Sequence, residues 1–190
     1  MKAKYQEAID RRADIMLSLG QEDRVKLVDS MIKHCDYPHE KYCVAMLYIY
    51  GIRPAELMLL KKYDFKISDF TIQVRLPPVK RGEKRVIRLK IESTPFLNIV
   101  ADHVNSSLPL LPPTWNDATN INGVFKKISR RRGKSRLSPY VFRKFRLSYL
   151  AIELDASSYD IRVWKGAKDD RSVAPYIRLK PVTKFEDKIR

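Results

Sequence analysis

The spacing of apolar residues changes twice along this chain, and the change limits what it can fold into. In the first 60 or so residues, apolar side chains such as Val25, Val28 and Ile32 recur at helical spacing. Residues 70–75 and 85–89 instead alternate between apolar and polar side chains, as strands do, before helical spacing returns. Because two strands alone are marginally stable, a short additional strand is predicted at residues 65–67. The predicted class is α+β, mainly α, with a small antiparallel sheet of about three strands.

Prolines next to small polar residues predict where the later helices begin. Pro54 fits the first position of one helix. Thr94 with Pro95, and Ser138 with Pro139, supply the cap and first residue of two more. The helices predicted after residue 50 cover residues 54–62, 95–103, 118–132, 138–154, 159–165 and 175–179.

The net charge selects the class of partner. The chain has 38 Lys and Arg against 22 Asp and Glu, for a formal charge of +16, which favours nucleic acid or an anionic membrane. No apolar run approaches the roughly 20 residues that span a bilayer, and the first residues lack the apolar core of a signal peptide. We expect a soluble, intracellular protein whose partner is nucleic acid, with no membrane association.

The positive charge is concentrated in one segment. Residues 118–152 contain no acidic residue but ten cations, a pattern that a polyanion would neutralise. A second basic group lies in the predicted hairpin loop, at residues 77–84. The candidate DNA-binding residues outside the catalytic set are Arg81, Lys84, Lys126, Lys127, Arg130, Arg131, Arg132, Lys134, Arg136, Lys144 and Arg146.

The two cysteines raise the question of a metal site. Cys35 and Cys43 lie near His34 and His39, but Pro38 interrupts the helical register and no second ligand cluster follows. Buried thiols and surface histidines explain this segment better. No metal and no cofactor are predicted.

An arginine at the start of a helix gives the first functional signal. In the segment Gly51-Ile52-Arg53-Pro54-Ala55-Glu56-Leu57, Pro54 and Glu56 fit the first and third helical positions, so Arg53 falls on the N-cap. A helix start is electropositive, and a cation there is unfavourable unless an anion bridges the two. Phosphate is the predicted anion.

Five segments in a fixed order resemble the catalytic domain of the tyrosine recombinase (phage integrase) family. That family has an arginine in a Gly-Leu-Arg-x-x-Glu-Leu segment, a hairpin lysine, a His-x-x-Arg box, a Leu-Gly-His box and a tyrosine nucleophile. The matching segments run over roughly residues 41–179 and are Gly51–Leu57, the hairpin with Lys80, Ser138–Arg143, Trp164–Ala167 and Tyr176.

The resemblance implies catalytic roles for individual residues. Arg53 and Arg143 correspond to the two catalytic arginines, and Tyr176 corresponds to the nucleophile. Lys80 corresponds to the hairpin general acid, with Lys84 as an alternative.

Two positions depart from the family pattern. Tyr140 stands where the family usually has His, although some members, including archaeal virus integrases, have Lys there. A phenol can still donate a hydrogen bond to phosphate, so Tyr140 remains in the predicted catalytic set. Ala167 replaces a His or Trp and brings no donor.

The implied activity is site-specific recombination or integration for a virus or mobile element. The enzyme would cut and rejoin double-stranded DNA through a 3′-phosphotyrosyl intermediate, as a homo-oligomer, in this family a tetramer. The resemblance also implies that the protein is associated with DNA in the cytoplasm or nucleoid of the host cell. Two alternatives stay open at this point. One is a non-catalytic DNA-binding module derived from a recombinase, and the other is a type IB topoisomerase-like enzyme.

The resemblance also implies a division of the chain. Residues 1–35 are predicted to be a helical extension or linker, residues 36–180 the catalytic domain and residues 181–190 a tail. Family members usually carry a separate N-terminal helical DNA-binding domain as well. The chain is therefore expected to be a catalytic fragment or the descendant of a fragmentary element.

Overall fold

The computed structural model describes residues 2–78, 83–134 and 137–177. The first helices are α1 (Lys2–Ser18), α2 (Gln21–Ile32), α3 (Pro38–Tyr50) and α4 (Pro54–Leu59), followed by a 3-10 turn at Lys62–Asp64. The strands are β1 (Phe65–Ile67), β2 (Thr71–Leu76) and β3 (Arg85–Lys90). The later helices are α5 (Leu97–Asn105), α6 (Thr119–Arg131), α7 (Pro139–Ile152), α8 (Ser158–Lys165) and α9 (Ala174–Ile177), with a 3-10 turn at Asp170–Ser172. No helix in these three ranges is long and apolar enough to cross a membrane.

Helix α3 lies at the centre of the packing because it is apolar or aromatic on every face. Its residues 42–50 are all buried, and α2, α5 and α7 pack against it. The ring of Tyr48 packs against Phe142 and Phe145 of α7. The chain leaves this buried helix at Gly51 and reaches Arg53 two residues later.

The sheet is antiparallel in the order β1-β2-β3, and it confirms the predicted strand at residues 65–67. Ile72 pairs with Leu89, and Val74 pairs with Ile87. Alternation along the strands buries Ile72, Val74 and Ile87 on one face. The class predicted from the sequence, mainly α with a three-stranded antiparallel sheet, is confirmed.

Several predicted element ends are wrong in detail. Helix α4 ends at Leu59 rather than near residue 62, because Leu60 is extended. Helix α5 begins after Phe96, which has a left-handed φ of 66°, so Thr94 is not its cap. Phe70 precedes β2 and is 77% exposed. The predicted start of α7 at Ser138 and Pro139 is correct.

Helices α1 and α2 belong to the same packing unit as the rest of the chain. Ile9, Ala13 and Met16 of α1 are buried in the main hydrophobic cluster, and α1 packs along α7. Side chains of residues 1–35 therefore share one hydrophobic cluster with the residues that follow. The predicted tail at residues 181–190 lies outside the described residues.

Gly51→Ala should destabilise the protein more than Gly133→Ala does. Both glycines have nearly the same left-handed φ, 58° and 59°, and a side chain there costs about 1 kcal/mol. A Cβ at Gly51 would lie 2.7 Å from Cβ of Arg146, whereas nothing lies within 4 Å at Gly133. We expect an additional loss of about 1–3 kcal/mol at Gly51 from this overpacking, measurable by urea unfolding. If both variants lose the same free energy of unfolding, α7 moves away from the new Cβ without loss of stability.

Candidate active site

A buried carboxylate, Glu56, organises the candidate site. Its side chain is 1% exposed and accepts two hydrogen bonds from Arg85, at 3.0 and 3.2 Å. It also accepts from the backbone N–H of Arg53 at 2.6 Å and from the Arg53 guanidinium at 3.3 Å. Nη1 of Arg143 lies 3.7 Å from the same carboxylate. Three guanidinium groups, from the N-cap of α4, from β3 and from α7, thus converge on one acid.

The cluster keeps an excess of positive charge. Burial would raise the pKa of Glu56, but the hydrogen bonds and charge of Arg85, with the Arg53 N–H and the charge of Arg143, lower it below its ordinary value. Glu56 is therefore ionised at neutral pH. One carboxylate against three guanidinium groups leaves two positive charges uncompensated. Such a cluster attracts a further anion.

Arg143 is held in place by backbone acceptors. Its side chain donates to the Gly51 carbonyl at 2.8 Å and to the Lys165 carbonyl at 3.2 Å. Burial, together with the nearby charges of Arg53 and Arg85, lowers the pKa of Arg143 to about 10, so the group stays charged at neutral pH. Arg53 is less enclosed, with 34% of its side chain exposed. The pair therefore combines one fixed cation with one that is accessible from solvent.

Tyr176 is connected to Arg143 through Lys165, whose carbonyl accepts from Arg143 and whose Nζ lies near the tyrosine ring. Helix α9, which carries it, is anchored by the buried Val173. Two ammonium groups lie near the centre of the Tyr176 ring, Nζ of Lys144 at 4.9 Å and Nζ of Lys165 at 5.2 Å. Burial raises the pKa of the Tyr176 phenol, while the charges of Arg143 and Arg53 act to lower it. The structure thus brings together three of the predicted catalytic residues.

The segment Trp164–Ala167 joins α8 to the rest of the site. Nε1 of Trp164 donates to the Tyr50 carbonyl at 2.8 Å, and the Gly166 carbonyl accepts from the Glu83 N–H at 3.2 Å. Gly166 has a φ of 65°, and a Cβ there would lie 2.5 Å from Nη1 of Arg85. The glycine is therefore required both by its backbone conformation and by the close approach of Arg85.

The remaining predicted catalytic residues are less well supported by geometry. Tyr140, at the second position of α7, is 43% exposed. Lys80 and Arg81 lie outside the described residues, as does Arg136. Lys84 is exposed just before β3, so the choice between Lys80 and Lys84 stays open.

Acids from distant parts of the chain neutralise some of the cations predicted to bind DNA. Lys127 pairs with Asp36 and Glu40, and Arg131 pairs with Asp36. Lys144 pairs with Asp10 of α1 at 3.4 Å. The acids lie in α1, in the connection between α2 and α3, and in α3 itself. They therefore could not be recognised from the sequence of residues 118–152, which contains no acid.

Two further candidate cations, Arg146 and Arg132, donate hydrogen bonds to other parts of the protein. Arg146 donates twice to the Tyr48 carbonyl, at 3.1 and 3.0 Å, and packs on the rings of Tyr48 and Tyr149. Arg132 donates to the Ser30 hydroxyl at 3.2 Å. As positioned, Arg146 supports the core and is not available to a phosphate. Lys126, Arg130 and Lys134 are exposed and make no ion pair within the described ranges.

Two residues of the site, Arg85 and Lys165, were not among the predicted catalytic residues. Arg85 follows the two-residue alternation of β3 onto the same face as the buried Ile87, where a cation needs a buried partner. A cation on the apolar face of a predicted strand was therefore the feature of the sequence that could have identified Arg85. For Lys165, the sequence offered only its place immediately before Gly166. Among the described residues, no group of His, Cys, Asp and Glu could hold a metal ion.

No protein-family profile and no curated protein matches this sequence. The fold does match solved structures. XerH site-specific recombinase bound to its difH substrate before cleavage matches with a TM-score of 0.68 and 14% identity, over 90% of this chain and 53% of XerH. XerA recombinase matches with a TM-score of 0.63 and 16% identity, over 90% of this chain and 64% of XerA. The Tn1549 transposon integrase in complex with circular intermediate DNA matches with a TM-score of 0.64 and 14% identity, over 90% of this chain and 64% of that integrase chain.

This chain therefore spans between 53% and 64% of the length of those neighbours. At identities of 14–16% the likeness concerns the fold. The chain has the fold of a tyrosine recombinase catalytic domain.

Proposed function

We propose that this chain is the catalytic part of a site-specific DNA recombinase or integrase, serving a virus or mobile element. The observation that carries the proposal is the link through Lys165, whose Nζ lies 5.2 Å from the centre of the Tyr176 ring and whose carbonyl accepts from Nη2 of Arg143 at 3.2 Å. The charges of Arg143 and Arg53 also act on the pKa of the phenol. The proposed partner is double-stranded DNA, bound by a homo-oligomer, with four copies on two duplexes. XerH and the Tn1549 integrase were each solved with DNA, which supports this choice of partner.

The chemistry explains why cations surround a tyrosine. A free phenol has a pKa near 10, so roughly one in a thousand is ionised at neutral pH, and a phosphodiester anion repels the phenolate. Arg53 and Arg143 would each donate to the non-bridging oxygens, where negative charge grows in the transition state. Both problems are reduced by the same positive cluster.

In the proposed step, the Tyr176 oxygen forms a bond to phosphorus as the bond from phosphorus to the 5′ oxygen breaks. The phenol proton passes to water, and a hairpin lysine, Lys80 or Lys84, gives a proton to the departing oxygen. The product is a 3′-phosphotyrosyl linkage with a free 5′ hydroxyl. Attack of that hydroxyl on the linkage reverses the step, so rejoining needs no other energy source.

One specific observation favours a second candidate, a DNA-binding module without turnover. Ala167 has no donor where the family has His or Trp, and burial raises the pKa of Tyr176. Such a module would bind DNA and leave it intact.

Covalent capture tests the proposal. The protein is incubated with a labelled pool of nicked duplexes of randomised sequence, in which a short strand released by cleavage diffuses away and traps the intermediate. We expect an SDS-resistant adduct whose protease fragments carry a nucleotide on Tyr176 by mass spectrometry. DNA binding without any adduct would favour the non-catalytic module. Relaxation of supercoiled plasmid without site preference would favour a topoisomerase.

DNA affinity should depend on the exposed cations of α6 and the turn after it. In the triple variant Lys126→Gln, Arg130→Gln, Lys134→Gln, the slope of log affinity against log salt should fall by about 2–3, since each lost phosphate contact removes about 0.9. The charge-matched control changes the exposed Lys26, Lys33 and Lys66 to Gln. Fluorescence anisotropy at several salt concentrations measures both slopes. An equal change in both triples would assign the effect to net charge alone.

A further inference from the structure

Lys165 lies within the candidate site, although nothing in the sequence pattern assigned it a role. It is the last residue of α8, and its side chain is half-buried. Its Nζ donates to the Ser172 carbonyl and lies 5.2 Å from the centre of the Tyr176 ring. Its own carbonyl accepts from Nη2 of Arg143 at 3.2 Å. One residue therefore touches the second arginine through its backbone and the tyrosine through its side chain.

The charges around Lys165 are mostly of its own sign. Among the described residues, the titratable and charged groups that face it are Arg143 and Lys144 of α7, Arg53 before α4, Asp169, which pairs with Arg171, and Tyr176 of α9. Burial, followed by the charges of Arg143 and Arg53, lowers the pKa of Lys165 to about 8. A half-buried ammonium group facing two guanidinium groups is stabilised when an anion enters between them.

We propose that Lys165 binds the same DNA phosphate as Arg53 and Arg143 and supplies the side-chain donor that Ala167 lacks. The inference rests on the proposed function, because it deepens the account of the same site. Lys165 and Ala167 flank Gly166, whose backbone is fixed by the Glu83 N–H and by contact with Arg85. The ammonium group sits on a long, flexible stem, so it can leave the Ser172 carbonyl for a phosphate oxygen while that turn stays in place.

Three variants separate a charge role from a structural one. Lys165→Met keeps the stem and removes the charge, Lys165→Arg keeps the charge, and Lys168→Met changes an exposed neighbour as the matched control. The rate of adduct formation should fall roughly 100-fold in Lys165→Met, as expected for one lost donor to a developing oxyanion. Lys165→Arg should recover most of that loss, and Lys168→Met should match the parent.

The pH profile gives a readout that packing alone would not move. An amine with a pKa of about 8 is charged below that pH and neutral above it, so the parent rate should decline as pH rises through about 8. A guanidinium keeps its charge, so the decline should move to higher pH in Lys165→Arg. A Lys165→Met rate within about threefold of the parent would overturn the proposal. An equal loss in both variants, with lowered melting temperatures, would also overturn it.

A second measurement keeps this inference separate from the proposed function. Lysines of the parent protein are acetylated with and without the duplex pool and quantified by mass spectrometry. DNA should protect Lys165 severalfold more than Lys168. If no adduct forms but Lys165 is protected, strand transfer fails and the phosphate contact stands. If Lys165 is no better protected than Lys168, the phosphate contact is wrong whatever the adduct assay gives.

Discussion

The Tyr176→Phe variant should bind DNA as tightly as the parent and form no covalent adduct at all. The substitution removes only the phenolic oxygen, which is the atom proposed to bond to phosphorus. The ring that remains still lies near the ammonium groups of Lys144 and Lys165 and still packs against the small cluster of α7, α8 and α9. Binding is therefore expected to survive while the chemistry is lost. Anisotropy and denaturing gels on the same nicked pool measure the two quantities.

The matched control is Tyr159→Phe. Tyr159 lies on the neighbouring helix α8, is 62% exposed and has no proposed role in chemistry. Adduct formation should continue at the parent rate in this variant. If the adduct persists in Tyr176→Phe and disappears in Tyr159→Phe, the nucleophile is Tyr159 and the proposed assignment to Tyr176 is wrong.

Replacing Glu56 with Gln should produce the largest loss of stability of any single change in the site. Glu56 is the only acid within contact of Arg53, Arg85 and Arg143 in the described ranges. An amide cannot compensate the three positive charges, and Arg85 is itself buried. Removing one partner from a buried ion pair costs about 3–5 kcal/mol. For a chain of this size that corresponds to a decrease in melting temperature of roughly 10 °C.

The pH dependence of stability gives a second test of Glu56. Its folded-state pKa lies below the ordinary value of 4.5, so its contribution is complete above pH 4.5 and is lost as pH falls through the folded-state pKa. The parent should therefore lose more stability between pH 5 and pH 2 than Glu56→Gln does. Urea unfolding across this range measures the difference. Parallel curves would show that Glu56 does not titrate with folding.

Asp36→Asn is the comparison at the surface. Asp36 also pairs with two cations, Lys127 and Arg131, but it is exposed to solvent. Hydrogen bonds from Arg131 and Lys127 lower its pKa to about 2, and water screens much of the interaction. A small change in melting temperature is expected. A loss as large as that of Glu56→Gln would mean that burial is not what makes the Glu56 cluster costly to break.

Local sequence signals predicted the elements well, because propensity and apolar spacing act within a few residues. They placed the start of α7 and the short strand β1 correctly. Arg53 does occupy the N-cap of α4, as predicted, but the predicted reason for a cation there was incomplete. Its predicted anion was phosphate, whereas Glu56 of the same helix already supplies a negative charge. The helix start is therefore satisfied before any ligand binds.

The contacts that the sequence did not reveal are those between distant segments. Ten cations without an acid in residues 118–152 suggested a continuous DNA surface. Asp10, Asp36 and Glu40 approach that segment only after folding, and they pair with three of its cations. Arg146 turns inward for the same reason, since its partner is a backbone carbonyl of α3. Charge counted along the chain overestimates the charge that a folded surface presents.

Helix α1 is connected to Tyr176 through one ion pair. Asp10 of α1 holds Lys144, and Lys144 lies against the ring of Tyr176. Asp10 also acts to raise the pKa of that phenol. Drawing α1 away from α7 would therefore release the lysine and ease ionisation of the tyrosine in a single movement. The ion pair between Asp10 and Lys144 therefore couples the position of α1 to the electrostatic environment of Tyr176.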